Sequence, residues 1–227
     1  MSKTDNNNAQ RIRRSLVLIA RRIVPLCLLI ILLPQLQRWD VVVTYAILFL
    51  WMIAEVLVED PVTNPESRNS SRDRGSRYLI LGAHLLALWL PLGELILRPT
   101  TPPMWLSLLG IGFAIVGAML RIISIRTLGR FFTGYVRLVK DQRLCRKGVY
   151  KYIRHPSYVG LFFINLSLAV AVGASVSLVV LMLLSIMSIY YRVRIEEEEL
   201  VKWFGESYRD YQQTTSRWVP IVWRREA

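Results

Sequence analysis

The chain has 227 residues, is 53% hydrophobic and carries a formal net charge of +13. Its long uncharged runs exclude an ordinary soluble domain, because ~18 or more consecutive apolar residues read as a membrane span. The basic residues sit beside those runs, which suits an anionic membrane face and argues against nucleic acid as a partner.

The length allows one all-α membrane domain of about six spans at ~20 residues each. Residues 1–15 are polar and basic and are expected to form a disordered tail. They do not read as a cleavable signal, since no small-residue cleavage site follows the first apolar run. That run, residues 16–33, contains Arg21 and Arg22, so it is expected to begin in the interface and then turn into the bilayer. A second span is expected over 41–58. Trp39 and Trp51 read as belt or packing residues. Glu55 lies near the end of the span and is expected to snorkel to water. Residues 59–77 are rich in Pro, Asn, Ser and Arg and read as a loop.

The third span is expected over 78–97. There His84 is expected to pack with a hydrogen bond, and Pro91 and Gly93 are the places for a kink. The fourth covers 104–125, with Gly110, Gly112 and Gly117 suited to close helix packing. Residues 16–126 thus hold four spans. Residues 127–227 form a second region, where the chemistry is expected. Cys27 falls in a span and Cys145 in a basic loop, so neither a disulfide nor a metal site is expected.

The second region centres on GVYKYIRHPSYVG at 148–160. Pro156 suits the first position of a helix and pushes His155 out of the α region, so a helix should begin there. The N–H groups of Ser157 and Tyr158 are then expected to be open, beside Arg154, His155 and the Tyr158 ring, as an anion or cofactor site. The plainer reading is a basic membrane anchor with an interfacial tyrosine. Spans five and six are expected over 156–172 and 176–191, joined by Gly173-Ala174-Ser175 as a tight helical hairpin. Residues 192–213 read as a charged amphipathic tail helix, and 218–223 as interfacial. With the N-terminus inside, the loops 59–77 and 127–155 and both tails are cytoplasmic, and the Lys/Arg bias is met throughout.

In the tail, Arg192, Glu196, Leu200 and Trp203 or Phe204 share one helical face. The hairpin should return Arg192 and Glu196 to the start of the fifth span, where Arg154 and Tyr158 lie. A solvated helix with i, i+4 ion pairs is the plainer alternative.

RHPSYVG at 154–160, EExxLxxxFGxxYxxY at 196–211 and RWVP at 217–220 together resemble the isoprenylcysteine carboxyl methyltransferases. The related membrane phospholipid methyltransferases share much of this pattern. The resemblance covers residues 128–220; before that only hydropathy matches. It implies S-adenosyl-L-methionine as methyl donor and a lipidic or prenylated acceptor. It puts the donor on Gln142, Arg143, Leu144 and Cys145, on Gly148 and Tyr150, on His155, Pro156, Ser157 and Tyr158, and on Glu196 and Glu197. It assigns substrate contact to Arg192, and catalytic roles to Arg154, Arg192 and Glu196. Gln142 stands where the family has histidine, and Cys145 where it has valine; a backbone contact survives both changes. Phe131-Phe132 stands where many bacterial relatives have a tryptophan.

The implied chemistry suits these residues. Methyl transfer from a sulfonium is an in-line displacement, so the protein mainly positions two reactants and excludes water. A carboxylate acceptor needs no general base, but it does need a planar cation to orient it. An amine acceptor needs a base and would be repelled by paired arginines. A carboxylate acceptor is therefore the first reading, a lipid amine N-methyltransferase the second, and a non-catalytic membrane protein of the same fold the third. Transport fits poorly, because the charges gather at one membrane face instead of the midplane.

Overall fold

The computed structural model describes residues 38–58, 73–132 and 141–220. The expected tail 1–15, the first span and most of the 59–77 loop lie outside the described residues, as do 221–227. The described residues form six α-helices in order: α1 (Trp39–Val58), α2 (Ser76–Leu97), α3 (Met104–Leu128), α4 (Pro156–Val172), α5 (Ser175–Phe204) and α6 (Glu206–Thr214). Short 3-10 turns occupy Gly129–Phe131 and Gly148–Lys151. Among the described residues, α2, α3 and α5 are long and apolar enough to cross a membrane, and α4 is apolar but shorter, at 17 residues.

α4 is the central helix. It packs against α1, α2, α3 and α5 and is buried along nearly its whole length from Gly160 to Val172. That explains why it is apolar all round, as a helix enclosed by others must be. Its approach to α3 is the tightest, and small residues permit it. A Cβ on Gly110 would lie 2.3 Å from the Ala171 nitrogen, and one on Gly117 would lie 2.6 Å from the Gly160 carbonyl oxygen. Gly112, expected to share that contact, faces open space instead. It lies two residues from Gly110, and residues two apart on a helix do not share a face.

The α4–α5 hairpin closes as expected. Gly173 takes the left-handed conformation at φ 71°, and the Gly173 and Ala174 N–H groups bond back to Val170 and Ala169. Glu94 on α2 then caps α5, accepting the Val176 and Ser177 N–H groups at 3.1 and 2.6 Å. At mid-bundle, His84 Nδ1 lies 2.9 Å from Asn165 Oδ1, the hydrogen-bonded packing role expected of it.

Two expectations change. The last span and the tail helix are one continuous 30-residue helix, α5, which carries the apolar stretch straight into the charged one. The break comes later, at Gly205, where φ is 54° and ψ is −128°, and α6 starts after it. Glu55 does not snorkel. It is 4% exposed and receives two guanidinium bonds from Arg121 on α3, at 2.9 and 2.6 Å. A cation one helix away offers the carboxylate a better partner than a route to water.

Candidate active site

One end of the bundle carries a cavity walled by the ends of α2, α3, α4 and α5, by the stretch 142–145, and by α6. The geometry begins at Pro156, the first residue of α4. Here the expectation is corrected in part: the Tyr158 N–H is not open but donates to the His155 carbonyl at 3.2 Å. The first turn is closed by its own N-cap residue.

Tyr158 is the pivot. Its hydroxyl accepts from Arg192 Nε at 3.1 Å and donates to Glu196 Oε2 at 2.8 Å. Arg192 and Glu196 are one turn apart on α5, so a single phenol from α4 bridges both. The Arg192 guanidinium also donates through Nη1 to Ser76 Oγ at 2.9 Å and to Asp73 Oδ1. Arg192 is 4% exposed, so its charge is held by these partners and not by water.

A second line enters from α1 and α3. Arg121, held by Glu55, donates through Nη1 to Ser157 Oγ at 2.8 Å, and its guanidinium lies 5.9 Å from the centre of the Phe132 ring. This fixes the first turn of α4 from the side opposite α5.

The third cluster is built on Glu197, which follows Glu196 on α5 beyond the apolar stretch. It receives His155 Nε2 at 3.0 Å, Arg154 Nε at 3.1 Å and Arg217 Nη2 at 2.5 Å. Burial alone would raise its carboxyl. The His155 contact, then Arg217 and Arg154, more than reverse this and hold it at about 2. Arg154 Nη1 also donates to the Gln212 carbonyl at 2.9 Å and to that of Thr215. The backbone continues the tie: Arg154 N–H donates to the Ser216 carbonyl at 2.8 Å, beside a lone parallel bridge between Ile153 and Ser216. The cluster thus docks the segment after α6 onto the start of α4.

The tyrosines of α6 close the cavity floor. Tyr211 donates to the Tyr150 carbonyl at 2.5 Å. Tyr208 is 1% exposed, lines the cavity, and its buried hydroxyl has no hydrogen-bond partner among the described residues. Burial, followed by the negative charge of Glu196, pushes the Tyr150 phenol well above its usual value. Burial also raises Tyr208 and Tyr211. These groups stay protonated and remain hydroxyl donors.

Of the residues singled out in the sequence, the structure gathers Gln142, Arg143, Leu144, Cys145, Tyr150, Arg154, His155, Ser157, Tyr158, Arg192 and Glu196 around this one cavity. Gly148, Pro156 and Glu197 are not among its lining residues. Gly148 holds a left-handed turn at φ 56° against Thr127, and Pro156 starts the helix. Sequence reasoning missed Arg77, Arg121 and Glu199 in the wall, and Tyr208 and Tyr211 in the floor. The tyrosine spacing in EExxLxxxFGxxYxxY was the available signal for the last two. Arg121 was detectable as one of two opposite charges set within apolar spans, Glu55 in the second span being the other.

The chain is similar to several known proteins. Residues 109–202 match the model of the isoprenylcysteine carboxyl methyltransferase family. A protein-S-isoprenylcysteine O-methyltransferase of Tribolium castaneum is 36% identical over 120 residues, which is 52% of this chain and 43% of that protein. Protein-S-isoprenylcysteine O-methyltransferase A of Arabidopsis thaliana is 33% identical over 143 residues, covering 62% of this chain and 73% of its own length. The chain spans less than half the length of the Tribolium relative and of a Schizosaccharomyces pombe one, of which 48% is matched. Among solved structures, that of a eukaryotic intramembrane Ras methyltransferase aligns with a TM-score of 0.59 at 26% identity, over 79% of this chain and 64% of that one.

Proposed function

Because the chain belongs to the isoprenylcysteine carboxyl methyltransferase family, we propose that it is an integral membrane methyltransferase that esterifies the carboxylate of a prenylcysteine or a similar lipidic acid, with S-adenosyl-L-methionine as donor. The observation that carries the reading is the Arg192–Tyr158–Glu196 line in the cavity wall. It sets one guanidinium and one carboxylate on either side of a single phenol. The bound donor would supply a methyl group on a sulfonium, ready for in-line displacement.

The chain's own residues then have distinct tasks. Glu196, with one oxygen fixed by Tyr158, presents negative charge to the cationic part of the donor. The orphaned Tyr208 hydroxyl fits a polar guest, since a buried unpaired hydroxyl costs about 1–3 kcal/mol until it finds a partner. Residues 142–145, Tyr150, His155 and Ser157 supply the remaining wall. Arg192 orients the acceptor carboxylate, whose charge at neutral pH makes a base unnecessary. Phe131, Phe132, Leu161, Leu200 and Phe204 give the cavity apolar sides that exclude water. Arg154 serves this reading as a docking residue, through Glu197 and the carbonyls of 212 and 215. An amine acceptor would meet Arg77, Arg121 and Arg192 in the same wall.

We read the chain as six spans with both termini and the cavity on the cytoplasmic side, from its Lys/Arg distribution. Labelling of a Ser71→Cys variant from outside the cell would overturn that orientation. The chemistry is tested with the full chain in detergent, labelled donor, and either N-acetyl-S-farnesylcysteine or phosphatidylethanolamine. A base-labile methyl ester on the farnesylcysteine is expected. Label appearing only as base-stable methylamine overturns the carboxylate reading.

A further inference from the structure

The side chain expected to hold the acceptor already holds a carboxylate. Arg192 Nη1 contacts Asp73 Oδ1, and Asp73 precedes α2, outside the residues matched by the family model. The pair is closed to water, with side-chain exposures of 5% for Arg192 and 11% for Asp73. A buried guanidinium with no anion is strongly unfavourable, so the cavity cannot keep Arg192 in place between turnovers unless the chain supplies a counter-ion. Asp73 supplies it. Asp73 also has a second anchor, because Oδ2 accepts the Arg77 N–H at 3.0 Å in the first turn of α2. It can yield Arg192 without becoming an unpartnered buried charge. Arg77 lies in the same cavity wall as Arg192.

We propose that Asp73 is a resident counter-ion which the acceptor carboxylate displaces from Arg192, and which returns once methylation has neutralised that carboxylate. This rests on the carboxylate reading above. Before transfer, one anion replaces another on Arg192, so the buried cation is never left alone. Transfer moves a methyl group from the sulfonium to a carboxylate oxygen, giving a neutral thioether and a neutral ester. An ester presents no charge to a guanidinium, and Asp73 recaptures it. The exchange selects acids on entry and favours release of esters. Asp73 is thus a specificity-determining and positioning residue and touches no reacting atom.

The test is binding to the full chain in detergent, with S-adenosylhomocysteine present so that nothing turns over. N-acetyl-S-farnesylcysteine and its methyl ester are titrated against wild type, Asp73→Asn and Asp73→Glu. Loss of the competitor should tighten the acid about tenfold in Asp73→Asn, the scale of one charge-assisted contact, and leave the ester unchanged. Asp73→Glu should restore the wild-type ratio of acid to ester affinity. If Asp73→Asn is too unstable to purify alone, the acid in the medium should rescue its yield and the ester should not. Acid affinity that is unchanged or weaker in Asp73→Asn, or equal rescue by acid and ester, overturns the proposal. A wild-type chain that methylates no carboxylate instead overturns the reading beneath it, which the labelled-donor assay reports separately.

Discussion

Glu196 and Glu197 are neighbours on one helix, yet they belong to different regions of the molecule. Glu196 faces the cavity and shares the Tyr158 hydroxyl with Arg192. Glu197 points ~100° further round the helix and binds His155, Arg154 and Arg217. The same two segments of sequence therefore build both clusters. At 154–158, Tyr158 serves the cavity, while Arg154 and His155 bond the Glu197 carboxylate that docks the segment after α6. The contrast teaches that a dense charged motif in this fold divides its labour by helical phase. One phase presents groups to the cavity, and the next holds the walls together.

That division makes the two clusters separable by mutation. The largest effect is expected on the cavity side. Arg192→Lys keeps the charge but loses the fork that reaches Tyr158, Ser76 and Asp73 together, and a nucleophile misplaced by about 1 Å can cost ~100-fold. Single-turnover methylation should fall by about that factor while donor affinity stays near wild type. Full activity in Arg192→Lys would remove the carboxylate role.

On the docking side, Glu197→Gln should show itself first in stability. It leaves three cationic or hydrogen-bonding partners around a neutral amide, and breaking a buried pair costs about 3 kcal/mol or more. A lower Tm is the expected result, with the segment after Thr214 becoming open to proteolysis. Because Glu197 is held at about 2 when folded, below its ordinary 4.5, its stabilisation is complete above the higher value and fades as pH falls towards the lower. The variant should lack that part of the acid sensitivity. An unchanged Tm with lost donor binding would put Glu197 in the cavity cluster instead.

Glu196→Gln sharpens the comparison from the other side. Removing a charge-assisted contact should weaken the donor by roughly 1.5–3 kcal/mol, read by calorimetry, with little change in Tm. The smallest effect belongs to Tyr208→Phe. It deletes a hydroxyl that has no partner among the described residues, so stability should hold or rise slightly. Donor affinity should drop by about 1 kcal/mol if the hydroxyl meets a guest. Equal affinity in Tyr208→Phe would leave the orphan hydroxyl unexplained by ligand binding.

Much of this arrangement was readable beforehand. Hydropathy located α2, α3, α4 and the start of α5 closely, because a span must be apolar over its length, but it did not show that α5 runs on through the charged stretch to Phe204. Pro156 marked the start of α4, and Gly173 its end. The i, i+4 spacing of Arg192 and Glu196, with a tight hairpin before them, brought both to Tyr158. What escaped was the partner of each charge. Glu55 read as a carboxylate near water, and Asp73 as part of a polar loop, although each holds an arginine. Arg154 was expected in a catalytic role with no partner named, and it bonds Glu197 and two carbonyls of the tail.

The sequence by itself determined that this chain lies in a membrane, where α2, α3 and α4 start and stop, and which residues share a helical face. Those properties are local: they follow from apolar length, from proline and glycine backbone limits, and from the helical period. Tertiary structure alone decided which face meets which. The approach of α3 to α4 at Gly110 and Gly117 brings Arg121 to Ser157, and the packing of α2 on α5 brings Asp73 to Arg192. A buried charge must take whatever counter-ion the packing delivers, and for Arg121 and Arg192 those counter-ions come from segments far away in sequence.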